Sequence, residues 1–198
     1  MKNLILMFFC LLIALGSFAQ TSSKPYNKDI AEYRAKAYLI KNVLNNDTQT
    51  YYTTENHITA KPILFSMEAL SSASSGELTS LYYSSKQNKK EGLLLGFFSD
   101  RWNPQGVIFN QYNFKNIPEI KAKELLQLIS LNIDLFNKIQ YEYTTNNNNN
   151  YYFEFDDLIV LLYKINGSLK IRVFWGDYDA DWDSTAFNRT FRRFLKKT

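Results

Sequence analysis

The feature that most restricts the fold is a pair of apolar runs separated by Asn166-Gly167. Both residues of this dipeptide accept positive φ, which a type I′ turn requires, so the runs are predicted to form a β-hairpin. Residues 158–162 are apolar at every position, which is typical of a central strand with two buried faces. In residues 169–175, apolar side chains occupy every second position and alternate with Lys170, Arg172 and Phe174, so we expect a half-exposed neighbouring strand.

Three other segments show helical periodicity. The first begins near Pro25, carries apolar residues at three- and four-residue spacing, and stops at residues 45–47, which favour turns. The second begins at Pro118 and extends to about residue 139 with a wide apolar stripe. The third begins at Ser184, is capped by Asp183 or Ser184, and places phenylalanines on one face.

Short β-branched and aromatic runs, separated by turn formers, predict successive strands between residues 50 and 114. The clearest are 78–84, 93–98 and 107–114, and the polar connector 86–90 favours a hairpin between the first two. Residues 63–70 are ambiguous between strand and helix. The nearly all-serine residues 71–76 predict a loop, and the five asparagines 146–150 predict a mobile surface loop.

The order helix, strands, helix, hairpin, helix lacks the regular strand-helix alternation of a parallel sheet. We therefore predict an α+β fold with one antiparallel sheet. The N-terminal, middle and C-terminal helices are expected to pack mainly on one face of that sheet. No linker or internal repeat divides the chain, so residues 20–198 are predicted to form a single globular domain.

The first 19 residues have the pattern of a cleaved secretory signal peptide. Lys2 supplies the positive end, residues 4–15 are apolar, and Ser17 and Ala19 are the small residues that signal peptidase accepts. The Ser-Phe-Ala-Gln junction resembles leaders common in Bacteroidetes-type bacteria. An apolar run of this length is too short for a bilayer that needs about 20 residues, and no later run is longer. We expect a periplasmic or secreted protein with no transmembrane segment after cleavage at Ala19.

Composition excludes several classes of chemistry. Cys10 is the only cysteine and leaves with the leader, so the exported chain has no thiol chemistry. His57 is the only histidine, which excludes a multi-histidine metal site. A formal net charge of +4 is too small to indicate nucleic-acid binding. The chain also lacks the glycine-rich loops and nucleophile motifs of common enzyme classes, so a non-enzymatic protein is expected.

Four alternating carboxylates, Asp177, Asp179, Asp181 and Asp183, make residues 177–183 the densest polar segment. Hard cations need several oxygen ligands, so the segment is a candidate calcium site, and no other cofactor is expected. It resembles the first half of an EF-hand loop. The resemblance breaks where Trp182 replaces the turn glycine and Asn188 replaces the bidentate glutamate. The alternative is a solvated loop whose last aspartate caps the following helix.

Aromatic and basic side chains flank the acidic segment. Exposed rings can stack on sugars or hold a partner, and the candidates are Trp175, Tyr178 and Trp182. The polar face of the final helix carries a cationic set that favours an anionic glycan, a lipid headgroup or an acidic partner. Its candidate binding residues are Arg189, Arg192 and Arg193. The alternatives are that the rings fill the core and that the cations favour the helix dipole.

The sequence thus predicts an exported, non-enzymatic binding or interaction domain with a protein or glycan partner outside the cytoplasm. The alternative function is a carboxylate-based extracytoplasmic hydrolase, with or without calcium. Its candidate carboxylate pairs are Glu154 with Asp156 and Asp156 with Asp157, and His57 is the one imidazole base.

Overall fold

The computed structural model describes residues 28–45, 52–54, 57–59, 62–72, 78–102, 105–106, 108–142 and 150–198. These residues form three helices and antiparallel sheets, so the predicted α+β fold is confirmed. The predicted leader with Cys10, and residues 146–149 of the asparagine tract, lie outside the described residues. Among the described helices, none combines the length and the apolar character needed to cross a bilayer.

The chain divides into two compact units. The first comprises Met1–Pro25 and Asp100–Asn110, of which residues 100–102, 105–106 and 108–110 are described. They include Gly106, whose φ of 75° suits a turn. The second unit comprises Tyr26–Ser99 and Gln111–Thr198 and contains the cores and the candidate sites described below. The single domain expected for residues 20–198 stays a prediction.

The helices follow the predicted periodicity closely. The first, α1 (Lys28–Tyr38), continues into a π-helical turn (Leu39–Leu44) and ends at Asn45. The second, α2 (Glu119–Glu142), begins directly after the predicted proline but extends beyond residue 139. The third is α3 (Ser184–Leu195).

The strands form two four-stranded sheets where one had been predicted, together with a two-stranded ladder. The ladder pairs β1 (Tyr52–Thr54) with β2 (His57–Thr59). The first sheet has the order β3 (Ser66–Ser72), β4 (Leu78–Ser85), β5 (Lys90–Trp102), β6 (Ile108–Pro118). The second has the order β10 (Tyr178–Asp183), β9 (Ser168–Trp175), β8 (Leu158–Ile165), β7 (Tyr151–Phe155).

Three sequence expectations about the strands change with the structure. The ambiguous residues 63–70 contribute to β3, and residues 71–72 continue that strand although they were predicted to be loop. Asp179, Asp181 and Asp183, expected in a loop, lie in the edge strand β10. The Asn166-Gly167 hairpin is confirmed, with φ of 49° and 77° at its two turn residues.

Both faces of the first sheet are covered. On one face, Leu81 and Leu94 pack with Leu39 and Leu44 from the end of the first helix. On the other, Leu93 joins a larger core that includes α2, α3 and the inner face of the second sheet. Because these two cores cover opposite faces of the sheet, side chains on both faces of β5 are buried. The helices therefore contribute to cores on opposite faces of this sheet, and the expected packing mainly on one face is not confirmed.

The second sheet buries one face only. Val160 and Val173 are directly paired and belong to the large core, as does Trp182 on β10. The opposite face exposes Tyr152 and Ile159, which are 66% and 41% accessible. β8 is thus an interior strand as predicted, but the apolar run 158–162 has one exposed face.

Candidate functional site

The predicted calcium segment places its carboxylates on a strand and in a turn. Asp177 lies in the turn before β10, and Asp179 and Asp181 project from the same face of β10 because strand side chains alternate. Asp183 ends the strand and accepts hydrogen bonds from two backbone N–H groups in the first turn of α3, the nearer from Thr185 at 2.8 Å. It is the N-cap of α3, as the alternative interpretation expected.

A guanidinium group holds the two middle aspartates. Arg172 on β9 donates from Nε to Asp179 at 2.8 Å and from Nη1 to Asp181 at 3.3 Å. In the part of the chain that the structure describes, no three His, Cys, Asp or Glu side chains are grouped to hold a metal ion. The calcium site stays a prediction, and this arrangement gives it no support.

The three candidate rings have different environments. Trp175 and Tyr178 are half-buried neighbours whose ring centroids are 5.8 Å apart, and the indole N–H of Trp175 donates to Asp157 at 2.9 Å. Trp182 is 1% exposed and packs edge-on against Phe187. Trp182 therefore has no ring face available to a ligand, and Trp175 already packs against protein groups.

Asp156 and Asp157, the carboxylates of one candidate acid–base pair, contact two different lysines. Lys115 donates to Asp157 at 2.6 Å, and its ammonium together with the Trp175 indole holds the pKa of Asp157 below its usual range. Asp156 lies 3.6 Å from Nζ of a different lysine, Lys121. Glu154 is exposed on β7. The side chain of His57 lies outside the described residues.

The cationic face of α3 partly fastens the helix to β3. Arg193 donates to the carbonyl of Leu70 at 2.9 Å, and Lys197 donates to Glu68 at 2.6 Å. Arg192 donates to the carbonyl one turn before it, and Arg189 is exposed. The predicted cationic set is thus on the surface, but part of it serves internal contacts.

A cleft of about 440 Å³, which sequence analysis did not identify, brings together a different group of residues. It lies where the π turn after α1, the β4–β5 hairpin and the β6–α2 junction meet. Its polar lining includes Tyr83, Lys89, Lys90, Glu91, Asn116 and Glu119. We call these residues and their space the junction cleft.

Unusual backbone forms one wall of the junction cleft. π turns are frequent at functional sites, and the one at Leu39–Leu44 places Val43 in the lining. Lys90 Nζ donates to the Val43 carbonyl, and Asn88 Nδ2 donates to the Leu44 carbonyl at 3.0 Å. Lys89, between the two donors, has a left-handed φ of 50°. The hairpin turn therefore satisfies carbonyls at the helix end with its own side chains.

Asn116 is the central polar residue of the junction cleft. Its backbone N–H donates to the Tyr38 hydroxyl, and its side chain hydrogen-bonds the Tyr83 hydroxyl. Burial raises the pKa of Tyr83 to about 12, so that hydroxyl stays protonated at neutral pH. The Asn116 Oδ1 atom is buried and accepts no hydrogen bond from any residue that the structure describes.

Two carboxyl groups lie together in the same cleft. Glu91 accepts a hydrogen bond from the Tyr82 hydroxyl at 2.7 Å, and Glu119 accepts one from Lys123 at 2.6 Å. Lys123 first, and a contact with Glu91 second, hold the pKa of Glu119 below its usual range. A carboxyl group with a lowered pKa is ionised at neutral pH, so Glu119 contributes a negative charge to the cleft.

A glycine makes the cleft compact. A Cβ on Gly92 would lie 2.4 Å from the Ile117 carbonyl oxygen and 3.0 Å from the Tyr83 hydroxyl. Only a residue without a side chain lets β5 and β6 approach this closely here. The approach places Tyr83 within hydrogen-bond range of Asn116.

The individual residues had ordinary structural explanations in the sequence. Glu91 follows a polar hairpin connector, and Glu119 begins a helix, where a carboxylate favours the dipole. Neither position carries a motif. Their contact depends on the pairing of distant strands, which the local pattern does not encode.

No protein-family model, curated protein or solved structure matches this chain at a significant level.

Proposed function

We propose that the protein is an exported, periplasmic or secreted binding protein that holds a small ligand in the junction cleft. Export rests on the leader pattern of residues 1–19. Binding rests on one observation above all, the unpaired and buried Oδ1 atom of Asn116 beside a cleft of about 440 Å³. A buried acceptor without a donor costs about 1–3 kcal/mol, which a ligand donor would recover.

Two further observations support a ligand site. The cleft volume lies in the range of 300–1,000 Å³ that is usual for small-molecule sites. Its polar groups are also held in place before any ligand arrives, because Asn116 contacts two tyrosines and Glu119 contacts Lys123. Preorganised groups lose less entropy on binding.

The test is a thermal-shift screen of the purified protein with sugars, amines, amino acids and carboxylic acids. A ligand that raises Tm should lose its effect in Asn116→Ala and keep it in Asn188→Ala, a matched change on the exposed face of α3. A ligand at 100 times its Kd adds about 2.7 kcal/mol, or roughly 5 to 10 °C. Equal shifts in both variants, or no shift with any compound, would refute the cleft as the binding site.

Export is tested separately by N-terminal mass spectrometry of the protein recovered outside the cytoplasm. The proposed cleavage leaves Gln20 as the first residue. Retention of Lys2 in the recovered protein would contradict it.

A carboxylate hydrolase remains the second candidate because the carboxyl groups of Glu91 and Glu119 lie together in the junction cleft. Two carboxyl groups in this relation can divide the roles of acid and base. The binding proposal predicts that a bound ligand is recovered unchanged. Mass spectrometry of the ligand after incubation separates the two, since cleavage that is lost in Glu91→Gln and Glu119→Gln would establish the hydrolase.

A further inference from the structure

The hydrogen-bond donors of the junction cleft are largely engaged. Asn42 donates to the Tyr38 carbonyl at 3.0 Å, Lys90 donates to Val43, and Asn116 uses its backbone and side-chain donors on tyrosine hydroxyls. Outside the lining, Tyr82 and Lys123 donate to the two glutamates. Lys89 is exposed at the rim.

The acceptors of the cleft are in excess. The Oδ1 atom of Asn116 has no donor among the described residues, and the carboxyl groups of Glu91 and Glu119 add several acceptor positions each. A ligand that matches this cleft must therefore bring donors. A positive charge on the ligand adds a further gain, because a hydrogen bond from a charged donor to a carboxylate is stronger than one between neutral groups.

We propose that the junction cleft binds the primary ammonium group of a small molecule, with Glu91, Glu119 and Asn116 as its three acceptors. An ammonium group has three donors and no acceptor, which matches this set in number and sign. A hydroxyl has one donor and no charge, and a quaternary ammonium has charge without donors. The proposal rests on the proposed function, because it names the ligand class of the same cleft.

The experiment measures binding of matched probes to the intact protein by calorimetry and thermal shift. Butylamine, butanol and butyltrimethylammonium share a carbon chain, and benzylamine with benzyl alcohol repeats the comparison on a larger group. The amine should bind about 10- to 100-fold more tightly than either partner, the range expected for charge-assisted hydrogen bonds. A comparison of lysine with Nε-acetyllysine then shows whether an amino-acid side chain, as well as a simple amine, can supply the ammonium group.

Variants assign the contacts. Glu119→Gln and Glu91→Gln should each weaken amine binding by about tenfold or more, while Glu124→Gln on the same helix should leave it unchanged. Glu124 is a suitable control because it is half exposed and pairs with Lys121 outside the cleft. Circular dichroism and a melt of each variant confirm folding, and Asn116→Asp provides a second probe of the third acceptor.

Five results would overturn the ammonium assignment. If butyltrimethylammonium binds as tightly as butylamine, the cleft recognises charge alone. If butanol binds as tightly as butylamine, charge does not contribute to binding. A Tm shift with millimolar calcium that is lost in Glu119→Gln would assign the acceptors to a metal ion. If only polyols or acids bind, and Asn116→Ala abolishes that binding, the proposed function stands and the ammonium inference fails. If no compound of either panel binds, both fail.

Discussion

A buried hydroxyl pair joins the C-terminal helix to the first sheet and offers a sharp test of the packing. Ser80 Oγ on β4 hydrogen-bonds Thr190 Oγ1 on α3, and both residues are 0% exposed. Thr190 also donates to the Ala186 carbonyl at 2.9 Å, whereas Ser80 has only a long second contact, 3.4 Å to the Ser71 carbonyl. The Ser80 hydroxyl therefore depends more on Thr190 for its hydrogen bonding than the Thr190 hydroxyl depends on Ser80.

This inequality predicts different costs for the two single substitutions. Thr190→Val keeps the side-chain shape but leaves the Ser80 hydroxyl buried with a poor partner, so it should lower the free energy of unfolding by about 1–3 kcal/mol. Ser80→Ala leaves Thr190 bonded to its helix carbonyl and should cost about 0.5–1.5 kcal/mol. The double variant removes both polar groups, so its cost should fall below the sum by about 1 kcal/mol.

Urea unfolding of the four proteins measures this cycle, with Thr185→Val as an exposed control on the same helix. At about 2–4 °C per kcal/mol, the Thr190→Val change should also lower Tm by roughly 2 to 12 °C. Costs that add to within about 0.3 kcal/mol would refute the coupling, because independent sites are additive. A larger loss in Ser80→Ala than in Thr190→Val would refute the assignment of the stronger second bond to Thr190.

The remaining predictions concern the helix cap, the close strand approach and an ion pair. In urea unfolding, Asp183→Ala should lower the free energy of unfolding by about 1 kcal/mol and Asp177→Ala by less than about 0.5 kcal/mol. Equal losses would contradict the capping role of Asp183. Gly92→Ala should lower the free energy of unfolding by about 1–3 kcal/mol, because the added methyl group would collide with the Ile117 carbonyl. An unchanged unfolding midpoint would show that β5 and β6 can move apart without loss of stability. The depressed pKa of Asp157 means that its stabilisation is present above its unfolded pKa of about 3.9 and is lost as pH falls through the lower folded value. Melts at graded acidic pH should show a smaller loss in Lys115→Met, and an identical pH profile would exclude this ion pair as the cause.

Local pattern was sufficient for much of the secondary structure. The Asn166-Gly167 turn and the start of α2 were predictable because each depends on neighbouring residues. Asp183 was one of the two residues predicted to cap α3, because a helix cap also depends on neighbouring residues. The number of sheets was not predictable, because the alternation of apolar and polar residues within a strand does not indicate which other strand it pairs with.

The candidate site was harder to predict because its members are brought together by tertiary packing. The acidic residues 177–183 have the composition of a cation loop, but their alternation equally suits a strand, and Arg172 on the neighbouring strand takes up two of them. Trp182 was indistinguishable from Trp175 in sequence, yet only Trp182 points into the centre of the core. Burial of a ring depends on the face it occupies and on what covers that face.

The interior position of β5 has a consequence for how the molecule opens. Leu93, Leu94 and Leu95 are each 0% exposed although they point alternately to opposite sides. An amide in such a strand exchanges its hydrogen with solvent only when layers on both sides separate, which is a global event. These three amides should therefore be the slowest to exchange deuterium, and their exchange free energy should equal the unfolding free energy of the surrounding unit. Amides of the edge strand β7, beside the exposed Tyr152, should exchange through local fraying.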